Sequence, residues 1–456
     1  MVDGAIPADA AGAGQEVRAD ERSDRFTAGR QAPRQSRRLK TEKPSAGYAA
    51  LLRVPGFSRL YAGLLLGRMA GSMLFVALVL FVLERYHSPQ LAGATAFTAA
   101  LPGIIVSPLA GALLDRYGRA RLVVLDYAVA AVALGLIAGL SALRLLASPL
   151  LLAIVAVASL TNPLSWAGAR SLFPILAPRH LWERANGLDS SGHVIATLLA
   201  SPLAGTLVGL FGGEWALAAS GAVYVAAAVV MLRLPEPRNA AAQVGSVVRN
   251  AWLGLVYTVR NPTLRGLALT LSVYNVGNGL LAIAVPVLVL GRLHSGPSTV
   301  GLLWGAMGGA GLASALVAGR LSSLGRERWM MAGPILVAAV ATALLPFAYS
   351  IWVVAGAIVL LGVSTGPFDI GLFTLRQRRT DSAWFGRAFA VSMSLNSVGN
   401  PIGSAVAGPL IAASVNVALW AAVVATLASF VIILVAIPSG DEAVVEAVGA
   451  GAATLE

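Results

Sequence analysis

About eleven residues into an apolar run, Arg68 sits where a charge has no obvious business. It lies in residues 57–84, about 16 Å from the start of that run at 1.5 Å per residue. An ionisable side chain at such depth in lipid is costly and marks a function. Its guanidinium can hold an anionic substrate group or pair with an acid, and both readings are open. Asp369, within residues 351–375, is the acid expected to pair with it, and a carboxyl group there could load and release a proton. Asp369 is therefore the first candidate for proton coupling. Residues 185–211 carry Asp189, His193, Thr197 and Ser201, one polar residue in every four. His193 belongs to the residue type that titrates near neutrality, and with Asp189 one turn away it is the second candidate. Residues 386–413 carry Ser392, Asn396, Asn400 and Ser404 at the same spacing, offset by 203. Such stripes fit a face turned to a cavity, and equally fit hydrogen bonds that hold helices together. Asn275 follows Arg68 by 207 residues and is expected at the same depth. Arg68, Asn275, Asn396 and Asn400, with the aromatic surfaces of Trp166 and Tyr274, make up the candidate substrate contacts. Asp126 is expected to anchor the charged loop that precedes it.

Positioning these groups falls to long apolar helices. Of the 456 residues, 57% are hydrophobic and only 12% charged, against roughly a quarter charged in a soluble protein; mean hydropathy is +0.77. About 20 apolar residues cross the hydrocarbon core as a helix. That ruler gives twelve spans, at 57–84, 91–114, 122–143, 149–172, 185–211, 214–234, 264–291, 298–320, 330–348, 351–375, 386–413 and 416–437. Abundant Gly and Ala suit close helix approach, and Pro102, Pro108, Pro163, Pro202, Pro286 and Pro401 are expected to kink the spans that contain them. The fold class is thus an all-α membrane protein.

The chain also repeats itself. Arg53-x-Pro55 recurs as Arg260-x-Pro262, and Gly118-Arg119-x-Arg121 as Gly325-Arg326-x-Arg328, both at an offset of 207. A duplicated unit of six spans is the mark of a secondary transporter. The expected organisation is a basic cytoplasmic tail over 1–47, a six-helix bundle over 48–234, a linker over 235–262, a second bundle over 263–437 and a tail over 438–456. The tail at 1–47 has no apolar core of a signal peptide; Arg34, Arg37, Arg38, Lys40 and Lys43 could meet anionic headgroups. In the linker, Val244, Val248, Trp252, Leu255 and Val259 recur at helical spacing opposite Ser246, Arg249 and Asn250, which fits a helix on the membrane surface and also a plain solvated connection. Eighteen arginines fall in or beside the even-numbered loops, against Arg85, Arg144 and Arg292 on the other side. Positive charge stays inside, so both termini are expected in the cytoplasm.

Several chemistries find no support. The net charge of +12 is spread over short loops, not gathered into a nucleic-acid groove. There is no cysteine, and with four histidines there is no metal-ligand spacing such as H-E-x-x-H. No phosphate-cradling G-x-x-x-x-G-K-[ST] occurs, so ATP drive is not encoded here, and no cofactor is expected beyond a proton gradient as energy source.

Residues 111 to 121 read G-A-L-L-D-R-Y-G-R-A-R. This resembles the signature loop of the major facilitator superfamily, with Gly111, Leu113, Asp115, Arg116, Gly118 and Arg119 matching. Arg121 falls one place beyond the usual last basic residue, where Ala120 stands. Pro163 to Pro174, Leu181 with Ala185-Asn186-Gly187-Leu188, Phe373 to Arg378 with Gly386-Arg387-Ala388, and Asn400-Pro401-Ile402-Gly403 resemble the branch of siderophore exporters and macrolide-type drug efflux pumps. The resemblance implies that span 1 lines a central cavity. It also implies that Asp115, within the gating set Asp115, Arg116, Gly118, Arg119 and Arg121, meets the start of span 11 near Gly386 and Arg387 when the cytoplasmic side is shut. The expected function is a proton-coupled exporter of small hydrophobic compounds, multi-pass in a bacterial cytoplasmic membrane and monomeric. The alternatives are an importer or exchanger of a metabolite anion held by Arg68 and, in another class, a membrane sensor or enzyme reusing the fold.

Overall fold

The computed structural model describes residues 48–178, 181–232, 234, 247–320, 326–381 and 384–438. The tail at 1–47 with its basic residues, the linker stretch 235–246 with Val244 and Ser246, and residues 439–456 lie outside the described residues.

All described regular structure is helical. The twelve spans are Phe57–Tyr86, Pro89–Tyr117, Arg119–Ala142, the pair Ser148–Ser159 and Asn162–Leu176, Trp182–Phe211, Gly213–Met231, Pro262–Val287, Pro297–Ala318, Glu327–Leu344, Ile351–Arg378, Phe385–Ala413 and Val415–Ala436, numbered 1 to 12 in that order. Several helix starts are capped by a side chain that accepts an otherwise unpaired backbone N–H. Ser88 accepts from the Leu91 amide at 3.2 Å, Asn261 from Leu264 at 3.0 Å and Ser414 from Asn416 at 3.2 Å. Proline opens spans 2, 7 and 8, where its missing N–H removes nothing.

Span 4 departs from expectation. It is interrupted at Leu160–Thr161, and Pro163 starts its second helix instead of kinking a continuous one. Proline fits a first turn but clashes inside a helix, so the break falls just ahead of it. Pro202, Pro286 and Pro401 do sit inside helices.

The two bundles repeat each other's packing. Span 1 lies against 5 and 6, span 3 against 6 and span 2 against 4; likewise 7 lies against 11 and 12, 9 against 12 and 8 against 10. His87 and His294, 207 residues apart, share a left-handed φ of 48° at the ends of spans 1 and 7. Between the bundles, span 2 packs on 11 and span 5 on 8. Backbone meets backbone there: a Cβ on Gly205 would lie 2.8 Å from the Gly301 Cα, and one on Gly408 would lie 2.4 Å from the Gln90 Cα. These contacts belong to the ends of the four helices away from the arginine-rich loops.

The helix Val247–Arg260 joins the bundles. It buries Tyr257 and Thr258 and leaves Trp252, Val259, Arg249 and Arg260 exposed. The face turned to the protein is thus not the valine stripe. Tyr257 stacks on Trp384 with centroids 5.1 Å apart, and its hydroxyl accepts from the Asp381 amide at 3.1 Å.

Candidate functional site

Arg68 is held by Asp189, not by Asp369 as expected. Its Nη2 donates to the Asp189 Oδ1 at 2.5 Å and its Nη1 to the Asp189 carbonyl at 2.7 Å. The side chains are 19% and 18% exposed, so the pair borders open space. Pairing removes most of the penalty for charge in a low-dielectric bundle. The sequence favoured Asp369 and did not propose Asp189, because span 5 packs beside span 1 only in three dimensions. Gly192, one turn on, makes the fit: a Cβ there would stand 3.2 Å from the Tyr61 hydroxyl and 3.6 Å from the Arg68 Nη1.

The second bundle repeats this contact without charge. The Asn275 Nδ2 donates to the Asn396 carbonyl at 2.7 Å. Both partners lie 207 residues beyond Arg68 and Asp189, and Gly399, at 207 beyond Gly192, packs on Ser272 and Asn275. The register between spans 5 and 11 is therefore 207; the 203 offset of the polar stripes is a coincidence of their four-residue period. Ser272 donates to the Leu395 carbonyl at 2.9 Å and Ser404 to that of Gly279 at 3.3 Å. A Cβ on Gly279 would meet the Asn400 carbonyl at 2.1 Å. Asn275, Asn396 and Asn400 thus stand where spans 7 and 11 are stitched together, and Asn396 is buried.

Asp369 is exposed, and no hydrogen bond or ion pair joins it to a described residue. It lies close enough to Tyr274 to act on its hydroxyl, which is also within reach of Ser364 and Asn278. Tyr274 packs on Phe368 with centroids 5.5 Å apart. His193 and Trp166 are exposed, Trp166 at 62%. The structure therefore brings Arg68 to Asp189 and Asp369 to Tyr274, and does not join the two groups.

At the charged loop, Gly118 has φ 97°, a region that glycine enters freely, and joins spans 2 and 3 in one tight turn. Arg116 lies over the Tyr117 ring at 5.3 Å, Arg119 reaches the Ser171 carbonyl at 3.4 Å and Arg121 is exposed. Asp115 occupies the last turn of span 2, and Gly386 and Arg387 the first turn of span 11. The side chains of these three lie outside the described residues.

Asp126 does not anchor that loop. It is buried and accepts from the Thr161 hydroxyl at 2.7 Å, at the break in span 4. Arg376, buried against Met393, and the Glu327–Arg378 ion pair were also missed. Arg376 meets the next span along the chain and Arg378 the span before its own, and no periodicity signals either partnership.

The sequence model of the Major Facilitator Superfamily matches residues 60–276 and 267–454. The chain is 38% identical over 371 residues to y4rN of Sinorhizobium fredii, an MFS-type transporter, covering 81% of this chain and 92% of that one. It is 25% identical over 373 residues to the multidrug efflux pump Tap of Mycobacterium tuberculosis, covering 78% and 87%. It superimposes on the nucleoside transporter NupG with a TM-score of 0.67 at 11% identity, over 84% of this chain and 99% of that one, a likeness of fold.

Proposed function

The chain belongs to the Major Facilitator Superfamily, and on that premise we propose that it is a proton-coupled exporter of small hydrophobic compounds, working by alternating access in a bacterial cytoplasmic membrane with both termini inside. The observation that carries this reading is the Arg68–Asp189 pair. Its charge is already neutralised, so an anionic substrate would have to displace Asp189 to use Arg68, which disfavours the metabolite-anion alternative. Apolar compounds meet no such barrier and have Trp166, Tyr274 and Phe373 as surfaces. Proton loading falls to Asp369, exposed and with no ion-pair partner among the described residues, with Asp189 and His193 on span 5 as the other candidates. The similarity to a multidrug efflux pump supports the outward direction. In this reading the close contacts of spans 2, 5, 8 and 11, at the ends away from the arginine-rich loops, are the outer closure of an alternating-access cycle.

The test is ethidium accumulation in cells producing the protein, with and without an uncoupler. An exporter lowers accumulation and the uncoupler erases the difference. Accumulation raised by the protein would favour import, and an unchanged level with a panel of cationic and neutral dyes would count against efflux of such compounds.

A further inference from the structure

We propose that Asp126 takes up and releases a proton, and that this proton controls the break in span 4. The inference rests on the proton-coupled reading above and adds a second ion-handling residue, in the first bundle and away from Asp369.

Asp126 lies in span 3 and is 5% exposed. Its partners are hydroxyls: Thr161 at 2.7 Å, with Ser165 also within reach. The charged and titratable groups of the packed elements are few. Span 6 offers Tyr224 and span 3 itself Tyr127, and both feel the Asp126 charge; Arg68 of span 1 acts on Tyr127. Glu214 of span 6 is held at the outer end by Ser141. Span 2 has no ionisable residue between Pro89 and Leu114, and span 4 has only Arg170, whose side chain lies outside the described residues. An acid buried in the bilayer among hydroxyls, with its bundle's one described ion pair elsewhere, is a proton-relay geometry.

Thr161 supplies the link to conformation. Its hydroxyl faces two acceptors at once, the Asp126 carboxylate at 2.7 Å and the Ala158 carbonyl at 3.0 Å. A hydroxyl has one proton to give. While Asp126 is ionised, that proton goes to the carboxylate, and the Ala158 carbonyl, at the end of the first half-helix, keeps only backbone donors, among them the Thr161 amide at 3.3 Å. Once Asp126 is protonated, the acid donates to the Thr161 oxygen, and the Thr161 proton turns to Ala158. One proton on Asp126 thus adds a side-chain donor to the Ala158 carbonyl at the break. The effect reaches the interface between bundles through span 2, where a Cβ on Gly103 would meet the Ser159 carbonyl at 2.4 Å and Pro163 at 3.5 Å. Tyr127 and Tyr224 carry it toward Arg68, since their hydroxyls rest on Gly67 and Gly71 on either side of that residue.

The test is infrared difference spectroscopy of the purified full chain in lipid bilayers, titrated with acid and base. The expected result is a carbonyl stretch of a protonated carboxylic acid that titrates reversibly, is lost entirely in Asp126→Asn and persists in Asp369→Asn. Thr161→Val keeps the acid but removes its donor, so the band should move in frequency. It decides the matter by itself if Asp126→Asn does not fold. Titrating bands identical in wild type and Asp126→Asn, or a band indifferent to Thr161→Val, would overturn the proposal. No substrate is used, so a failure of dye efflux bears on the transport reading alone.

Discussion

The contact between spans 5 and 8 makes a sharp prediction, because the alternating access proposed above parts these helices in one of its two states. A Cβ on Gly205 would stand 2.7 Å from the Pro297 carbonyl oxygen, 2.8 Å from the Gly301 Cα and 2.9 Å from the Gly301 nitrogen. One on Gly301 would stand 2.5 Å from the Ser201 carbonyl oxygen. All of these are backbone atoms, which cannot swing aside. Overpacking of this kind costs about 1–3 kcal/mol. In an outward-open state the helices part and the penalty vanishes, whereas the helix-propensity gain of alanine, roughly 1 kcal/mol, is common to both states and cancels. Gly205→Ala and Gly301→Ala should therefore shift the equilibrium toward outward-open by about 5- to 150-fold. The chain has no cysteine, so spin labels can be placed at Leu145 and Tyr349, exposed residues of opposite bundles at the ends away from the arginine-rich loops, with no background to remove. Electron–electron distance measurement should show a longer, more populated separation in both variants. Gly356→Ala, where nothing lies within 4 Å of the added carbon, is the control and should match the parent. If all three variants give the parent distribution, glycine contact does not set the closed state.

Three further outcomes follow from the site. Arg68→Gln or Asp189→Asn alone leaves one charge stranded in the first bundle and should destabilise it by about 3–5 kcal/mol, with the double variant recovering part of the loss; thermal unfolding in detergent measures both. Asp369→Asn should remove the dependence of dye efflux on the proton gradient while leaving dye binding intact, and persistent sensitivity to the uncoupler would transfer the proton role elsewhere. Asp115→Asn should slow transport with little change in binding if its carboxylate meets the first turn of span 11 in the shut state, as the resemblance implies, a contact worth about 0.3–1 kcal/mol; unchanged efflux rates would remove it from the gate.

Span number, the repeat and the family resemblance were legible in the residues because each depends on local composition or on identity at a fixed offset. An apolar stretch long enough to cross a bilayer must be helical wherever it packs, and Gly118 has to turn the chain whatever surrounds it. Partnerships between helices were not legible. Arg68 was expected to pair with Asp369, and only the packing of span 5 beside span 1 revealed Asp189 as its partner. The four-residue polar stripes suggested a register of 203, while the paired hydrogen bonds from Arg68 and Asn275 fix it at 207. Asp126 looked like a loop anchor until Thr161, 35 residues away, was seen against it. Local sequence sets which segments cross the membrane; which polar groups meet inside is decided by helix contact, since one turn of register or one glycine exchanges the neighbour of every buried charge.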